Sequence, residues 1–385
     1  MPQDHNGTGT GASTGNGRSR GQRIDRRTYL AGAGAVGLAA AAGCTGNGGD
    51  GTTINILTWE EFGEMEENIE ETLDVSINIE ASTSSSSMFQ RWNQGADEEF
   101  DIAVPNNNFV PKMMDADLLA PVNMDAVSNF DSIYDTFNEF ANTQLASDED
   151  IYGIPIRFGW YGYGYDTREV PEHDPSYKIM FEDDYVDADL NGEIIVYDNH
   201  FKTMGATALY LGYQDAFEGQ RVELSEDQIQ EVKQTLIDQK PRLQGYIAAD
   251  PTYIQNFQQG NFLVGHSGRN EIVEMWSNGD DWPEFVAPQE GSLAWFESAV
   301  VSKASSNKEL SWQVVNEYIA PENGAQLGKV GFSPSVNPET SEHLSDDENE
   351  LFGSIDPAKL EDFIPFKAVE NEEAWLDAWE EVKTA

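Results

Sequence analysis

Short apolar runs alternate with helical stretches over residues 54–118, and this alternation limits the possible folds more than any other feature. Apolar runs of strand length lie at Ile54–Thr58, Val75–Glu80 and Phe100–Val104. Helical patterns follow them at Glu64–Leu73, Met88–Gly95 and Val110–Leu118. A β-α-β-α-β order is typical of a parallel sheet with right-handed crossovers. The chain is therefore predicted to be an α/β protein.

The rest of the chain continues the same pattern. Further strands are predicted at Glu193–Tyr197, Phe262–Gly265 and Leu293–Val301. Further helices are predicted near Thr203–Leu211 and at Ser225–Gln239, Pro251–Gln258, Asn307–Ile319 and Glu372–Val382. The last helix carries Trp375 and Trp379 four residues apart, a stripe expected to face the core. About 335 residues follow the first 50, which is enough for two domains.

The first 43 residues have the composition of an export signal. Residues 1–22 are mostly small and polar, so they cannot form a core. The pair Arg26-Arg27 precedes a run rich in Ala and Gly that ends at Gly43. A basic segment, an apolar segment and small residues describe a signal peptide, and the paired arginines indicate the twin-arginine route. An uncleaved N-terminal helix is the alternative.

Cys44 is the only cysteine in the chain and follows Ala41-Ala42-Gly43. This setting resembles a lipobox, in which the cysteine is lipidated and becomes the mature N-terminus, although Ala41 replaces the usual larger aliphatic residue. Residues 44–53 are then a lipidated cysteine and a flexible tether to the outer face of the cytoplasmic membrane. The alternative is a peptidase site next to an incidental cysteine. A single cysteine excludes an intrachain disulfide and a cysteine-based metal cluster.

The chain is strongly acidic, with 22 basic and 69 acidic residues and a formal charge of −47. Residues 1–43 contain five arginines and two aspartates, so the remainder has 17 basic and 67 acidic residues and a charge of −50. The acids are dispersed and none of them has EF-hand spacing. We interpret this composition as a halophile's acidic surface. Nucleic acid is not expected as a partner, because phosphate binding needs clustered Lys and Arg, and no metal or other cofactor is expected.

Aromatic and amide side chains follow two of the predicted strands. Strand 54–58 leads into Trp59-Glu60-Glu61-Phe62, and strand 100–104 leads into Pro105-Asn106-Asn107-Asn108-Phe109. Ligands of open α/β sheets bind beyond the carboxyl ends of the strands. These segments are therefore candidate ligand loops, although asparagines also occur in turns for backbone reasons alone.

Five segments in order resemble the spermidine/putrescine-binding proteins of ABC importers. They are Asn55–Phe62, Asp101–Met113, Tyr152–Asp166, Glu290–Glu309 and Gly331–Pro334. The resemblance runs through residues 54–385. It implies an α/β two-lobe periplasmic-binding-protein-like (type II) fold, with two parallel or mixed sheets flanked by helices and a hinge between the lobes. A halophilic archaeal lipoprotein of this family is expected.

The resemblance also implies the domain bounds and the partners. Lobe 1 is expected at 54–160 plus 296–335, and lobe 2 at 161–295 plus 336–385, which includes a C-terminal helix. A monomer that closes on its ligand and delivers it to the transmembrane subunits of an ABC permease is expected.

The family's ligand positions can be transferred one by one, and they favour a small organic amine, above all a polyamine. Aromatic walls are expected from Trp59, Phe62, Trp295 and Phe332, since an ammonium over a ring gains about 0.5–2 kcal/mol. Polar contacts are expected from Glu60, Asn106, Asn108, Asp198, Asn199 and Glu297.

Two positions depart from the family pattern. Lys202 stands where the family has a carboxylate, and Gly268, beside Arg269, stands where the family has a tryptophan. A buried cation facing Lys202 and Arg269 would be repelled. A zwitterionic or anionic solute held by Lys202, Arg269 or Arg157 is therefore the alternative ligand, and Trp160, Tyr161 and Tyr163 could line either version or belong to the core.

A secreted hydrolase is the rival from another class, and a purely structural surface protein is a third. The histidines are scattered and no HExxH motif occurs. Gly265-His266-Ser267-Gly268 lacks the second glycine of the G-x-S-x-G nucleophile elbow. The sequence therefore predicts a binding protein rather than an enzyme.

Overall fold

The structure is a computed structural model that describes residues 52–148, 150–353 and 355–385. The predicted signal peptide and Cys44 lie outside the described residues.

The strands of the described residues form one large mixed sheet and one small hairpin. Their bounds are β1 Thr53–Thr58, β2 Ser76–Ala81, β3 Ile102–Ala103, β4 Ala146–Ser147, β5 Asp150–Ile151, β6 Ile154–Asp166, β7 Ile194–Tyr197, β8 Leu243–Ile247, β9 Val264–Gly268, β10 Pro283–Val286, β11 Ser292–Val301 and β12 Phe363–Pro365. The large sheet runs in the order β2-β1-β3-β11-β6-β9-β7-β8, with β10 paired to β6 and β12 paired to β11. Strands β4 and β5 form the hairpin.

Helices of very different lengths connect these strands. Their bounds are α1 Glu66–Leu73, α2 Ser85–Asn93, α3 Val110–Asp115, α4 Asp135–Gln144, α5 Lys178–Phe181, α6 His200–Tyr210, α7 Glu226–Gln239, α8 Asp250–Gln258, α9 Arg269–Ser277, α10 Lys308–Tyr318, α11 Pro321–Gly331, α12 Asp346–Phe352, α13 Pro357–Leu360 and α14 Glu372–Thr384. Side-chain hydrogen bonds to the backbone fix where several of these helices begin. The Ser225 and Gln228 side chains form a capping box at α7, and the Asn199 side chain accepts a hydrogen bond from the backbone N–H of Lys202 at α6.

Strands β6 and β11 are the longest strands described, and they hold the two ends of the large sheet together. Strand β6 has 13 residues and β11 has 10, and every one of them is buried. They pair antiparallel, with β11 also contacting β3 on one side and β6 also contacting β9 on the other. The parallel group β2-β1-β3 and the parallel group β9-β7-β8 therefore lie on opposite sides of this central pair.

Two separate hydrophobic cores flank the central pair. One contains buried residues from β1 to Trp160 together with Ala294, Phe296, residues between 299 and 336, and Leu360. The other contains buried residues from Tyr161 to Leu293 together with Trp295 and α14. Trp375 and Trp379 are both buried in the second core, as expected from their spacing.

The predicted α/β class is confirmed, and the predicted strands and helices occur within a few residues of their expected bounds. One feature differs, because the two expected sheets are continuous through β6 and β11.

Candidate functional site

One face of the central strand pair brings charged and aromatic side chains together. Successive side chains of a strand point to opposite faces, so Arg157, Gly159 and Tyr161 share one face of β6. Trp295 lies opposite Gly159 and Glu297 lies opposite Arg157 on β11, so they share that face. A Cβ atom at Gly159 would stand 2.4 Å from the Trp295 indole, which is why only glycine fits there. We call this face the site face.

Arg157 joins two carboxylates at one end of the site face. Its Nε lies 2.5 Å from Glu297 Oε2, and its Nη2 lies 2.9 Å from Glu297 Oε1 and also donates to Glu61. The guanidinium lies 5.5 Å from the Phe62 ring centroid and 5.7 Å from that of Trp295. We call Glu61, Arg157 and Glu297 the arginine cluster.

Burial and charge oppose each other in the arginine cluster. Burial raises the pKa of Glu297 to about 7, although Arg157 opposes the shift. Burial alone would lower the pKa of Arg157, but the two carboxylates raise it above its ordinary value. Arg157 Nη1 is buried and has no hydrogen-bond partner among the described residues. It lies against Gly331, where a Cβ atom would collide with it. The cluster therefore holds two acids for one base and keeps one donor free.

Lys202 lies between two phenol rings at the other end of the site face. Its Nζ is 4.5 Å from the Tyr161 ring centroid and 4.1 Å from that of Tyr197. The Tyr197 hydroxyl lies 2.9 Å from Asp250 Oδ1 and also contacts Glu271 Oε1. We call Tyr161, Tyr197, Lys202, Asp250 and Glu271 the lysine cluster.

Proton sharing in the lysine cluster follows from its burial. Burial raises the pKa of Glu271 to about 8, with Asp250 adding to the shift and Lys202 opposing it. Burial lowers the pKa of Lys202, while Asp250 and Glu271 oppose that shift. A phenol has one proton, so Tyr197 can donate to Asp250 while a protonated Glu271 donates to the Tyr197 oxygen. The cluster therefore resembles an ammonium-binding site built of aromatic rings and acids. Its cation is supplied by the chain itself, through Lys202.

The first predicted ligand loop contributes less to the site face than expected. Trp59 is half-buried and its indole N–H donates to the carbonyl of Val104 at 2.9 Å. Glu60 is exposed, whereas its neighbour Glu61 reaches Arg157. Phe62 is fully buried and packs edge-on against Tyr318, with centroids 5.1 Å apart. Phe62 therefore occupies a core position under the arginine cluster.

The second predicted loop lies beside Glu297. Asn106 forms an isolated backbone bridge with Glu297, and its own N–H donates to Ser85 Oγ. Asn108 Oδ1 is buried without a hydrogen-bond partner among the described residues. Asn107, which was not predicted as a site residue, is the most buried of the three, and its amide contacts the backbone of Phe296 and Phe366.

The remaining predicted residues have partners outside the two clusters or lie near them. The Asp198 carboxylate lies 3.5 Å from Lys383 Nζ and accepts from the Trp379 indole, so it faces α14. Asn199 uses its side chain to cap α6. Phe332 is half-buried in the left-handed conformation, next to the Gly331 that contacts Arg157.

Comparison with known proteins identifies the family. The family model described as bacterial extracellular solute-binding protein matches residues 60–350. The spermidine/putrescine-binding periplasmic protein of Escherichia coli K12 is 20% identical over 321 residues, which is 82% of this chain and 85% of that protein. This chain belongs to the bacterial extracellular solute-binding protein family.

Solved structures have the same fold as this solute-binding protein. The spermidine/putrescine substrate-binding protein PotD of Streptococcus pneumoniae has a TM-score of 0.70 at 20% identity and covers 86% of this chain and 99% of its own. The binding protein AgtB of A. tumefaciens R10, in complex with agropinic acid, has a TM-score of 0.59 at 15% identity and covers 86% of this chain and 96% of its own. The solute-binding protein thus has the type II periplasmic-binding-protein fold.

The segment Gly265–Gly268, on which the hydrolase alternative depends, does not place a histidine and a serine as a catalytic pair. His266 and Ser267 are adjacent in β9, so their side chains point to opposite faces of the strand. Burial lowers the pKa of His266 to about 3, with Lys202 adding to the shift. His266 is therefore neutral and is not placed to take a proton from Ser267.

Two further findings concern metals and membranes. Among the described residues, no group of three or more His, Cys, Asp or Glu side chains is placed to hold a metal ion. None of the described helices is long and apolar enough to cross a membrane.

The three residues that the sequence offers for a zwitterionic or anionic ligand do not all lie at one site. Arg157 and Lys202 lie on the site face, whereas Arg269 lies 5.3 Å from the ring of Trp160, which points to the other face of β6. Glu271 and Asp250 were missed from the sequence, because a carboxylate near a helix start is usually an ordinary helix-terminal residue. Tyr197 was missed because it reads as the last residue of a buried strand. Glu61 had a usable signal, because it follows a buried strand beside Trp59.

Proposed function

We propose that this solute-binding protein captures a small organic amine of the polyamine class and delivers it to an ABC permease. The relatives that match most of the chain are named for spermidine and putrescine, and this supports the ligand class. No turnover is expected from such a protein, and neither a cofactor nor nucleic acid is expected to take part.

The composition of the arginine cluster is the observation that best supports an amine ligand. Glu61 and Glu297 supply two carboxylates against the single charge of Arg157, so the cluster has one acid in excess. The Trp295 indole lies beside these acids and is 7% exposed. An ammonium placed against this ring gains about 0.5–2 kcal/mol from the ring alone. It would also lower the pKa of Glu297 from about 7 by offsetting its burial, and so keep this carboxylate ionised.

The lysine cluster decides what the other end of the ligand can be. Lys202 already occupies the place between Tyr161 and Tyr197 where a second ammonium would have been held. The proposed ligand is therefore anchored through one amine. A zwitterionic or anionic solute is the second candidate, because Lys202 and the unpartnered Arg157 Nη1 are both able to donate to a carboxylate.

The proposed binding motion uses the two hydrophobic cores. We propose that 54–160 plus 296–335 move as one lobe and 161–295 plus 336–385 as the other. The ligand would contact the arginine cluster and the lysine cluster together only when the lobes are closed, so binding would shift the population to the closed form.

The proposed location follows from the N-terminal residues. We propose that residues 1–43 direct export through the twin-arginine route and that Cys44 is lipidated. The chain would then act as a monomer at the outer face of the cytoplasmic membrane, with residues 44–53 as its tether.

Calorimetric titration tests the ligand class. The chain from residue 51, in molar KCl, is titrated with putrescine, spermidine, agmatine and two sets of controls, one of zwitterions and one of carboxylates. We expect saturable amine binding that weakens at least ten-fold in Glu297→Gln and Trp295→Ala and is unchanged in Glu67→Gln, an exposed surface control. Binding of a zwitterion or carboxylate that is lost in Lys202→Met and unchanged in Arg269→Gln, together with no amine binding, would establish the second candidate instead.

A further inference from the structure

A cavity lies on the face of the central strands that points away from the site face. It has a volume of about 960 Å³. Its inner wall contains Trp160, Arg269, Phe285, Ser292 and Phe363. Trp160 and Phe363 stack with centroids 4.7 Å apart, so the wall is aromatic. We call it the Trp160 cavity.

Arg269 is the unusual charge of this cavity. Six arginines lie in the described residues, and five of them form an ion pair with a carboxylate. Arg269 forms none with any described residue, although the chain has 69 acidic residues. Its polar contact is a 2.7 Å hydrogen bond from Nη1 to the carbonyl of Leu351, and its guanidinium lies over Trp160 and Trp276. A poorly solvated cation without a counter-charge is costly unless an anion joins it.

The pKa of Arg269 is consistent with the absence of a counter-charge. Burial lowers the pKa of Arg269 to about 10, and no carboxylate opposes the shift. The guanidinium remains charged at neutral pH and is therefore available to an anion.

Ser292 supplies a second unsatisfied polar group in the same cavity. Its side chain is 4% exposed, and its hydroxyl has no hydrogen-bond partner among the described residues. A buried hydroxyl without a partner is unfavourable by about 1–3 kcal/mol. A bound acceptor would remove this cost.

The acids around the cavity do not neutralise Arg269. Glu350, Asp356 and Asp362 lie at the rim and are exposed to solvent, where salt screens them. The Glu290 carboxylate is occupied by the Ser176 hydroxyl and the Tyr177 N–H. The exposed Lys359 also lies at the rim, so the rim is acidic on balance, whereas the deep part of the cavity is cationic and aromatic.

We propose that the Trp160 cavity is a second binding site, which takes a small organic monocarboxylate. Its carboxylate accepts hydrogen bonds from Arg269 and Ser292, and its apolar body lies against Trp160, Phe285 and Phe363. This site is separate from the amine site, because β6 and β11 lie between them.

Fluorine NMR of the full-length chain with 4-fluorobenzoate tests this site, with neutral 4-fluorobenzamide as the matched ligand. We expect fluorobenzoate to bind at least ten-fold more tightly than fluorobenzamide. Arg269→Gln should weaken fluorobenzoate at least ten-fold and Ser292→Ala about three-fold, and Arg91→Gln, an exterior arginine, should change nothing. Equal binding of the two ligands, or unchanged binding in Arg269→Gln, would overturn the proposal.

A folding failure of Arg269→Gln leaves the test intact. Ser292→Ala and Arg269→Lys then decide, since Lys keeps the charge and should retain fluorobenzoate binding within ten-fold. Equal affinity for fluorobenzoate and fluorobenzamide, or an effect of Ser292→Ala below 1.5-fold, would refute the site. Titration with putrescine in the same samples reports the amine site independently.

Discussion

Replacement of Lys202 by methionine should open the second end of the amine site. The lysine Nζ lies within 4.5 Å of the Tyr161 and Tyr197 ring centroids, and Glu271 and Asp250 complete the surroundings. Methionine has similar length and no charge, so Lys202→Met leaves the rings and the carboxylates without their internal cation. A diamine anchored at the arginine cluster could then place its far ammonium between the rings.

The size of the effect follows from the charge that is removed. Two unit charges about 4 Å apart at an effective dielectric constant of about 20 repel by about 4 kcal/mol. Each 1.4 kcal/mol is a factor of about ten in affinity. Complete relief of this repulsion would tighten diamine binding by about 1,000-fold. The protein relaxes around Lys202 in practice, so we expect a gain of about 10- to 1,000-fold.

Calorimetry with putrescine and butylamine measures this gain. Butylamine has the same carbon chain and no second ammonium, so its affinity should change by less than three-fold in Lys202→Met. Lys303→Met, which removes a surface ion pair with Asp117, is the matched control. An unchanged putrescine affinity in a folded Lys202→Met variant would refute the idea that Lys202 occupies an ammonium site.

Three further results are expected. Because burial raises the pKa of Glu271 to about 8 from 4.5, the folded state holds a proton that the unfolded state has lost. Stability should therefore fall from about pH 4.5 to 8, and the fall in melting temperature should be smaller in Glu271→Gln and unchanged in Glu67→Gln. Phe62→Ala should cost about 3–5 kcal/mol in a denaturant titration, because Phe62 is a core residue, and a cost below 1 kcal/mol would contradict that position. Cys44→Ser should move the protein from the membrane fraction to the soluble fraction, and retention in the membrane would argue against a lipid anchor.

The fold could be predicted because its strands are short, buried and bounded by clear helical patterns. The apolar run at Ile54–Thr58 and the run at Leu293–Val301 each became a strand within one residue of the expected bounds. The continuity of the sheet could not be predicted, since the run Ile154–Asp166 contains an arginine and four glycines or prolines that weaken a strand pattern. Tertiary pairing with β11 and β9 decides its length.

The clusters could not be predicted because their members are far apart in the chain. Arg157 and Glu297 meet only through the pairing of β6 with β11, and Glu61 joins them because β1 pairs with β3 and β3 with β11. Local patterns carry no information on these pairings. Asp198 illustrates the converse case. It stands one residue from an expected ligand position, yet Lys383 and Trp379 of α14 bind its carboxylate. A contact with a C-terminal helix cannot be inferred from a match to a family motif.

Arg157 and Lys202 also explain how the protein can keep the acidic side chains of the site face buried when no ligand is bound. Burying a carboxylate without a counter-charge costs several kcal/mol, so Glu297 and Glu271 need partners even when nothing is bound. Arg157 supplies the counter-charge for Glu297, whereas Glu271 keeps a proton and bonds to the Tyr197 hydroxyl, and Lys202 lowers the cost of its ionised form. An incoming amine therefore adds to the arginine cluster, which has an acid in excess, but has to compete with Lys202 at the other end. A ligand with an acceptor at its far end meets no such competition, because Lys202 can donate to it. The two clusters should thus discriminate against long polyamines that need an ammonium held at each end and favour amines that are anchored through one ammonium only.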